Sequence, residues 1–201
     1  MRHVFLPVTL GLALWVVPLS GQVSWEGPLM VSPSTPLGWG VYLTDPTPGN
    51  GIGIMSTWRS GGPFGFRIGL AEDRVEKVAV FGGIDVSGRL IAATDNLPVD
   101  VQWVTGAGFG IGEDVLLSVP LGLSVGREME GEAVRVNPYV TPRVIVDALI
   151  GSEDPEAEDL TLVLAVDLGL DLSFDQGWIV RFAGSLGERK AISIGFSFLV
   201  L

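Results

Sequence analysis

From Leu160 to Asp175 the chain alternates between two kinds of side chain. Leu160, Leu162, Leu164, Val166, Leu168, Leu170, Leu172 and Phe174 fall on one face, and Thr161, Val163, Ala165, Asp167, Gly169, Asp171, Ser173 and Asp175 on the other. Successive side chains of a strand point to opposite faces, so the pattern predicts a strand with one apolar wall and one small, acidic wall. Soluble strands usually run to about 5–6 residues. This one is long enough to cross a bilayer at a tilt, which takes about 9–11 residues.

The same alternation recurs along the chain. It is found at 37–44, 51–59, 64–71, 77–90, 99–112, 115–126, 134–149 and 177–186, and finally from Ile192 to Val200. Turn clusters such as Asp45-Pro46-Thr47-Pro48-Gly49-Asn50 and Ser60-Gly61-Gly62-Pro63 separate the segments. That makes ten candidate strands with short connections. The expected fold is all-β, a closed antiparallel up-and-down transmembrane β-barrel of 8–10 strands, with ten the best count. Residues 37–59 read as one broken strand would lower it.

Composition decides which wall should face outward. Hydrophobic residues make up 47% of the 201, charged residues 17%, and the mean hydropathy is +0.46. Beyond the first residues no apolar run is long enough for a membrane helix, and closed barrels are the other structure that satisfies its backbone in lipid. The minor faces carry Gly, Ser, Thr and Ala with sparse Arg and Asp. A water-facing surface is normally about a quarter or more charged. Such faces suit a narrow lumen, with the broad apolar face outward. A soluble lipocalin-like barrel, secreted or periplasmic and binding an apolar ligand in an inward apolar cavity, is the alternative.

The beginning of the chain looks like a secretory leader. Arg2 and His3 precede an apolar stretch from Val4 to Val17, followed by Pro18-Leu19-Ser20-Gly21. The expected organisation is a signal peptide over 1–21, an extended lead-in over 22–36 and a barrel domain over 37–201. Loss of 1–21 would remove Arg2 and leave 11 basic against 23 acidic side chains, a net charge of −12. That balance argues against nucleic acid as a partner. The chain has no Cys, and its one His is His3. The commonest catalytic and metal-binding side chains are therefore absent after residue 21, and neither enzyme activity nor a cofactor is expected.

By pattern, residues 37–201 resemble the small outer-membrane β-barrel proteins of diderm bacteria. The most specific part of the resemblance is the last strand, which in such proteins carries a recognition signal for the barrel-assembly machinery. Ser193, Gly195 and Phe198 match it, while Val200 stands where an aromatic is usual. The resemblance implies an outer-membrane location, contact with membrane lipid and assembly by that machinery. It does not carry a function with it.

An even strand count places loops 113–114, 150–159 and 187–190 at one end, the extracellular end if both barrel termini are periplasmic. Loop 150–159 holds five carboxylates but lacks the ordered spacing of a calcium loop, so a solvated acidic turn is expected. The lumen-facing charges hold more chemistry. Folding 134–149 onto 160–174 about residue 155 sets Arg143 opposite Asp167 and Arg135 near Asp175. Folding 160–174 onto 177–186 sets Arg181 near Asp171. Asp167 and Asp171 as an acid/base pair is the weaker reading beside these arginines. The Arg–Asp ladder either plugs the barrel or forms a constriction that selects a small solute. Gly106-Ala107-Gly108-Phe109-Gly110 lies inside a strand and opens no helix, so it is not a phosphate loop; it lets the wall pack or bend. The expected role is a structural membrane component or a narrow passive pore.

Overall fold

The computed structural model describes residues 23–34, 37–45, 51–72, 78–112, 114–151, 160–174 and 177–198. Its strands are β1 (Gly38–Asp45), β2 (Gly53–Arg59), β3 (Phe64–Glu72), β4 (Val78–Ile91), β5 (Asp100–Ile111), β6 (Val115–Gly126), β7 (Met129–Glu130), β8 (Val134–Ile150), β9 (Leu160–Phe174), β10 (Trp178–Gly187) and β11 (Ala191–Phe198). No helix among the described residues is long and apolar enough to cross a membrane.

Every pairing is antiparallel. Sequence neighbours pair in order from β1 to β6 and from β8 to β11. The ring closes twice, where β1 pairs with β11 (Val41↔Phe196) and where β6 pairs with β8 (Val119↔Val146). β7 is a two-residue arm hydrogen-bonded to the start of β8, outside the ring. The result is a closed ten-stranded up-and-down barrel, as the alternation predicts. Residues 37–59 form two strands, not one, with Trp39 opposite Trp58.

β1 begins and β11 ends at one opening, termed the proximal mouth. The β1–β2, β3–β4, β5–β6, β8–β9 and β10–β11 connections gather at the other, the distal mouth. The strand ends that flank 113–114, 150–159 and 187–190 thus share one end. The carboxylates of residues 152–159 lie outside the described residues, as do the leader at 1–21, Asp175 and Val200.

Pleating sorts the side chains. In β9, Leu160, Leu162 and Leu164 are 65%, 65% and 55% exposed, while Val163, Ala165 and Asp167 between them are buried. The same alternation runs through β3, β6, β8 and β11. Apolar residues cover the outside, and Arg, Asp, Ser, Thr, Gln and Asn dominate the inside. Ile145, Val163 and Ala165 form one apolar inner patch.

Outward aromatics gather at the proximal mouth. Phe66, Trp58, Trp39, Phe198, Trp178 and Phe174 sit directly opposite one another from strand to strand, a single row over β3, β2, β1, β11, β10 and β9. Phe174 and Trp178 stack at 4.2 Å between ring centroids, and Trp58 lies 5.6 Å from Phe66.

Candidate functional site

The lumen is filled by the chain's own lead-in. Residues 23–32, within the segment expected only to be extended, are buried throughout, and Trp25, Glu26 and Leu29 are 0% exposed. The segment enters at the distal mouth, where Val23 lies against Gly110 near the end of β5. It leaves at the proximal mouth, where Pro33 lies against Gly126 at the end of β6. An eight-stranded barrel is about filled by its own side chains. Ten strands enclose more space, and a peptide backbone takes it up.

A backbone inside a lumen needs partners for its polar groups. The wall supplies them. Arg67 donates to the carbonyls of Glu26 at 2.9 Å and Leu29 at 2.7 Å. Arg143 donates to Gly27 at 2.6 Å, and Arg181 donates to Met30. Gln102 donates to Ser32 at 2.8 Å and Val31 at 3.3 Å. In the other direction, Leu29 N–H donates to Asp167 and the Ser32 hydroxyl to Asp171, both at 2.9 Å. Met30 has φ +48°, a left-handed conformation that costs a non-glycine residue about 1–3 kcal/mol. Its carbonyl bond to Arg181 and its place among Trp25, Tyr42, Met55 and Phe81 offset that cost.

Trp25 is the segment's main apolar anchor. Its indole N–H donates to the Ser118 carbonyl at 3.1 Å, and the Arg67 guanidinium lies 5.4 Å from its ring centroid. The ring lies over Gly83, Gly106 and Gly108, where any Cβ would strike it. The alternating glycines of β5 therefore form a slot for an indole, which gives their expected packing role a specific partner.

The wall charges are paired with one another as well as with the segment. Arg143 Nε donates to Asp167 at 3.1 Å and Arg181 Nε to Asp171 at 2.9 Å. Two of the three expected pairs thus meet; the third, Arg135 with Asp175, has its carboxylate outside the described residues. The β8–β9 register is offset by two residues from the expectation, setting Arg143 opposite Ala165 and Thr141 opposite Asp167. A slip of two keeps every side chain on its face, so the long Arg143 side chain still reaches Asp167. Arg181 stands directly opposite Asp171, as expected. Arg135 does not join the ladder. It lies beyond the proximal rim, opposite Ser173, exposed and 3.7 Å from Glu128.

Two clusters, the second of them a latch on the segment through Glu26, were not legible in the sequence. Arg59 and Arg67 both pair with Asp85, the latter at 3.4 Å, and Arg189 pairs with Asp147. Glu26 lies between Arg143 at 3.6 Å and Arg189 at 3.2 Å, yet neither of its oxygens receives an aligned hydrogen bond. Arg189, expected in an external loop, folds back into the distal mouth and is buried. Burial alone would lower its pKa, but Glu26 and Asp147 outweigh that and raise it, so the guanidinium stays charged. Inward parity did mark Arg67, Asp85 and Asp147, but nothing in the sequence paired them. Of the residues expected to form the assembly signal, Ser193 faces the lumen and donates to Thr44 at 2.7 Å, Gly195 lies beneath Tyr42, and Phe198 points outward in the aromatic row.

Chemically, the arrangement is a closed, charge-lined lumen. Among the described residues no group of three or more His, Cys, Asp or Glu is placed to hold a metal ion. No family model matches the chain, and no curated protein matches it. The chain is similar to a solved structure described as a bacterial polysaccharide outer membrane secretin, at 6% identity and a TM-score of 0.42, over 75% of this chain and 56% of that one. It therefore spans little more than half the length of that neighbour.

Proposed function

We propose that the protein is an integral outer-membrane β-barrel of a diderm bacterium, exported by its leader and inserted by the barrel-assembly machinery. At rest its lumen is closed by residues 23–34, so it acts as a structural membrane component or a narrow passive pore held shut. No catalytic role is assigned to it.

One observation carries this reading: the barrel has its apolar side chains outside and its buried ion pairs inside. In water, a wall of half-exposed Leu, Ile, Val and Phe is a liability, each such side chain forgoing about 1 kcal/mol of burial at ~25 cal/mol per Å². In lipid the same wall is the favourable surface. The aromatic row at the proximal mouth supports the reading, because Trp and Phe girdles mark bilayer interfaces. A soluble barrel for an apolar ligand needs an open apolar cavity, whereas here buried Arg–Asp pairs stand on the inner wall and residues 23–32 fill the space between them.

The test is partition and mobility of the mature protein. Recovery in the membrane fraction, extraction only with detergent and heat-modifiable gel mobility are expected. Full solubility without detergent would overturn the reading and select the soluble alternative.

A further inference from the structure

Resting on that membrane reading, we propose that residues 23–34 are a displaceable plug, and that the lumen behind them is a passage selective for small inorganic anions. The segment runs from the distal mouth at Val23 to the proximal mouth at Pro33, so it occupies the whole path. Its withdrawal leaves each wall carboxylate with its wall arginine: Asp85 with Arg59 and Arg67, Asp147 with Arg189, Asp167 with Arg143, Asp171 with Arg181. The wall gives up mostly hydrogen bonds to main-chain carbonyls, which water replaces well. The one charged group the segment offers, Glu26, has no aligned hydrogen bond.

Selectivity follows from the balance of inward charges. The wall carries Arg59, Arg67, Arg143, Arg181 and Arg189 against Asp85, Asp147, Asp167 and Asp171. Glu26, from the plug, is the carboxylate that balances them. With the plug out, these ion-paired wall charges among the described residues leave one cation in excess, and the N–H groups of Arg67, Arg143, Arg181 and Gln102 that held carbonyl oxygens turn to the aqueous axis. Those are donors for an anion, in the manner of Arg-lined anion pores. The small cavity left at the proximal mouth already has three arginines, Arg59, Arg67 and Arg181, against one carboxylate, Asp85, in its lining.

The experiment uses the full mature chain in planar bilayers under a KCl gradient. The wild type is compared with a variant carrying Trp25→Gly, Glu26→Gln and Leu29→Gly, which removes the segment's two largest fully buried apolar side chains and its charge. Heat-modifiable mobility confirms that each forms a barrel. The chain has no Cys. Ser24→Cys, at a fully buried position, therefore reports plug exit through its reaction with a water-soluble maleimide. The proposal expects a silent, maleimide-resistant wild type and a reactive, conducting variant whose reversal potential shifts toward that of chloride. Adding Arg143→Gln and Arg189→Gln is expected to shift it back toward potassium. Folded, inserted variants that stay maleimide-resistant, that react but do not conduct, or that prefer potassium would each overturn the proposal while leaving the membrane reading intact. Chains that form barrels but do not enter bilayers would overturn that reading itself.

Discussion

Arg143 ties together four parts of the molecule: its own strand, Asp167 on β9, Ser185 on β10 and the Gly27 carbonyl of the plug. Both members of the pair are wholly buried. Removing one side of such a pair strands the other charge, at a cost of about 3–5 kcal/mol. Arg143→Met is therefore expected to lower unfolding stability in detergent by about that amount. The double variant Arg143→Met with Asp167→Leu should recover most of the loss, as guanidinium titration would show. The glycine slot gives a second expectation. Gly83→Val puts a branched side chain into the Trp25 ring, which supplies the nearest atoms at that position, and should lower the temperature of heat-induced mobility change. Trp25→Ala in the same chain should restore much of it; equal losses in single and double variants would mean the slot does not hold the ring. Both effects belong to contacts between residues far apart in sequence. The Arg143–Asp167 meeting was legible because a two-residue slip leaves strand parity intact. The Trp25–Gly83 meeting was not, since the glycines record only missing side chains and not what fills the space.

At the scale of elements, β9 is the clearest case of pattern becoming structure. Its Leu and Val residues point outward and its Asp residues inward because a pleated strand allows no other arrangement of that alternation. Leu168 lies near the middle of that outer face. Leu168→Arg should destabilise the protein in lipid bilayers by about 2–4 kcal/mol, the cost of a cation near the midplane of a membrane barrel. A loss within ~0.5 kcal/mol, as for an ordinary water-exposed position, would contradict lipid contact. The lead-in element behaves differently. Its Pro28 and Pro33 remove two N–H donors, and Gly27 and Met30 take left-handed φ values of 46° and 48°. Such a segment does not join a sheet ladder. The sequence reads it only as an extended lead-in; its bends and its place inside the barrel depend on Arg67, Arg143, Arg181 and Gln102, donors drawn from four strands spread over the sequence.

At the scale of the whole molecule, two asymmetries stand out. The outward aromatic row lies at the proximal mouth, while the latch of Glu26, Arg189 and Asp147 lies toward the distal one. If the row marks a bilayer interface, single-tryptophan variants retaining Trp39, Trp58 or Trp178 should be quenched strongly by lipids brominated near the headgroup. A variant retaining only Trp25 should be quenched little, because its ring lies in the lumen. Uniform quenching of all four would contradict both the depth of the row and the plug. The row is invisible in the sequence because its six residues come from six strands, and only register lines them up.

Strand number, strand length and the inward or outward sense of most side chains could be read from the chain alone. Those properties are local: a period of two and a turn cluster suffice, whatever the rest of the molecule does. The Arg–Asp ladder between β8, β9 and β10 was within reach for the same reason, since short connections fix which strands are neighbours. The register at which β1 meets β11, the width of the lumen, the Arg59–Arg67–Asp85 and Arg189–Asp147–Glu26 clusters and the threaded plug came only with the tertiary structure. Each depends on how much space ten tilted strands enclose and on which distant side chains face across it. No local pattern encodes that distance, so a segment that reads as a simple lead-in fills the centre of the barrel.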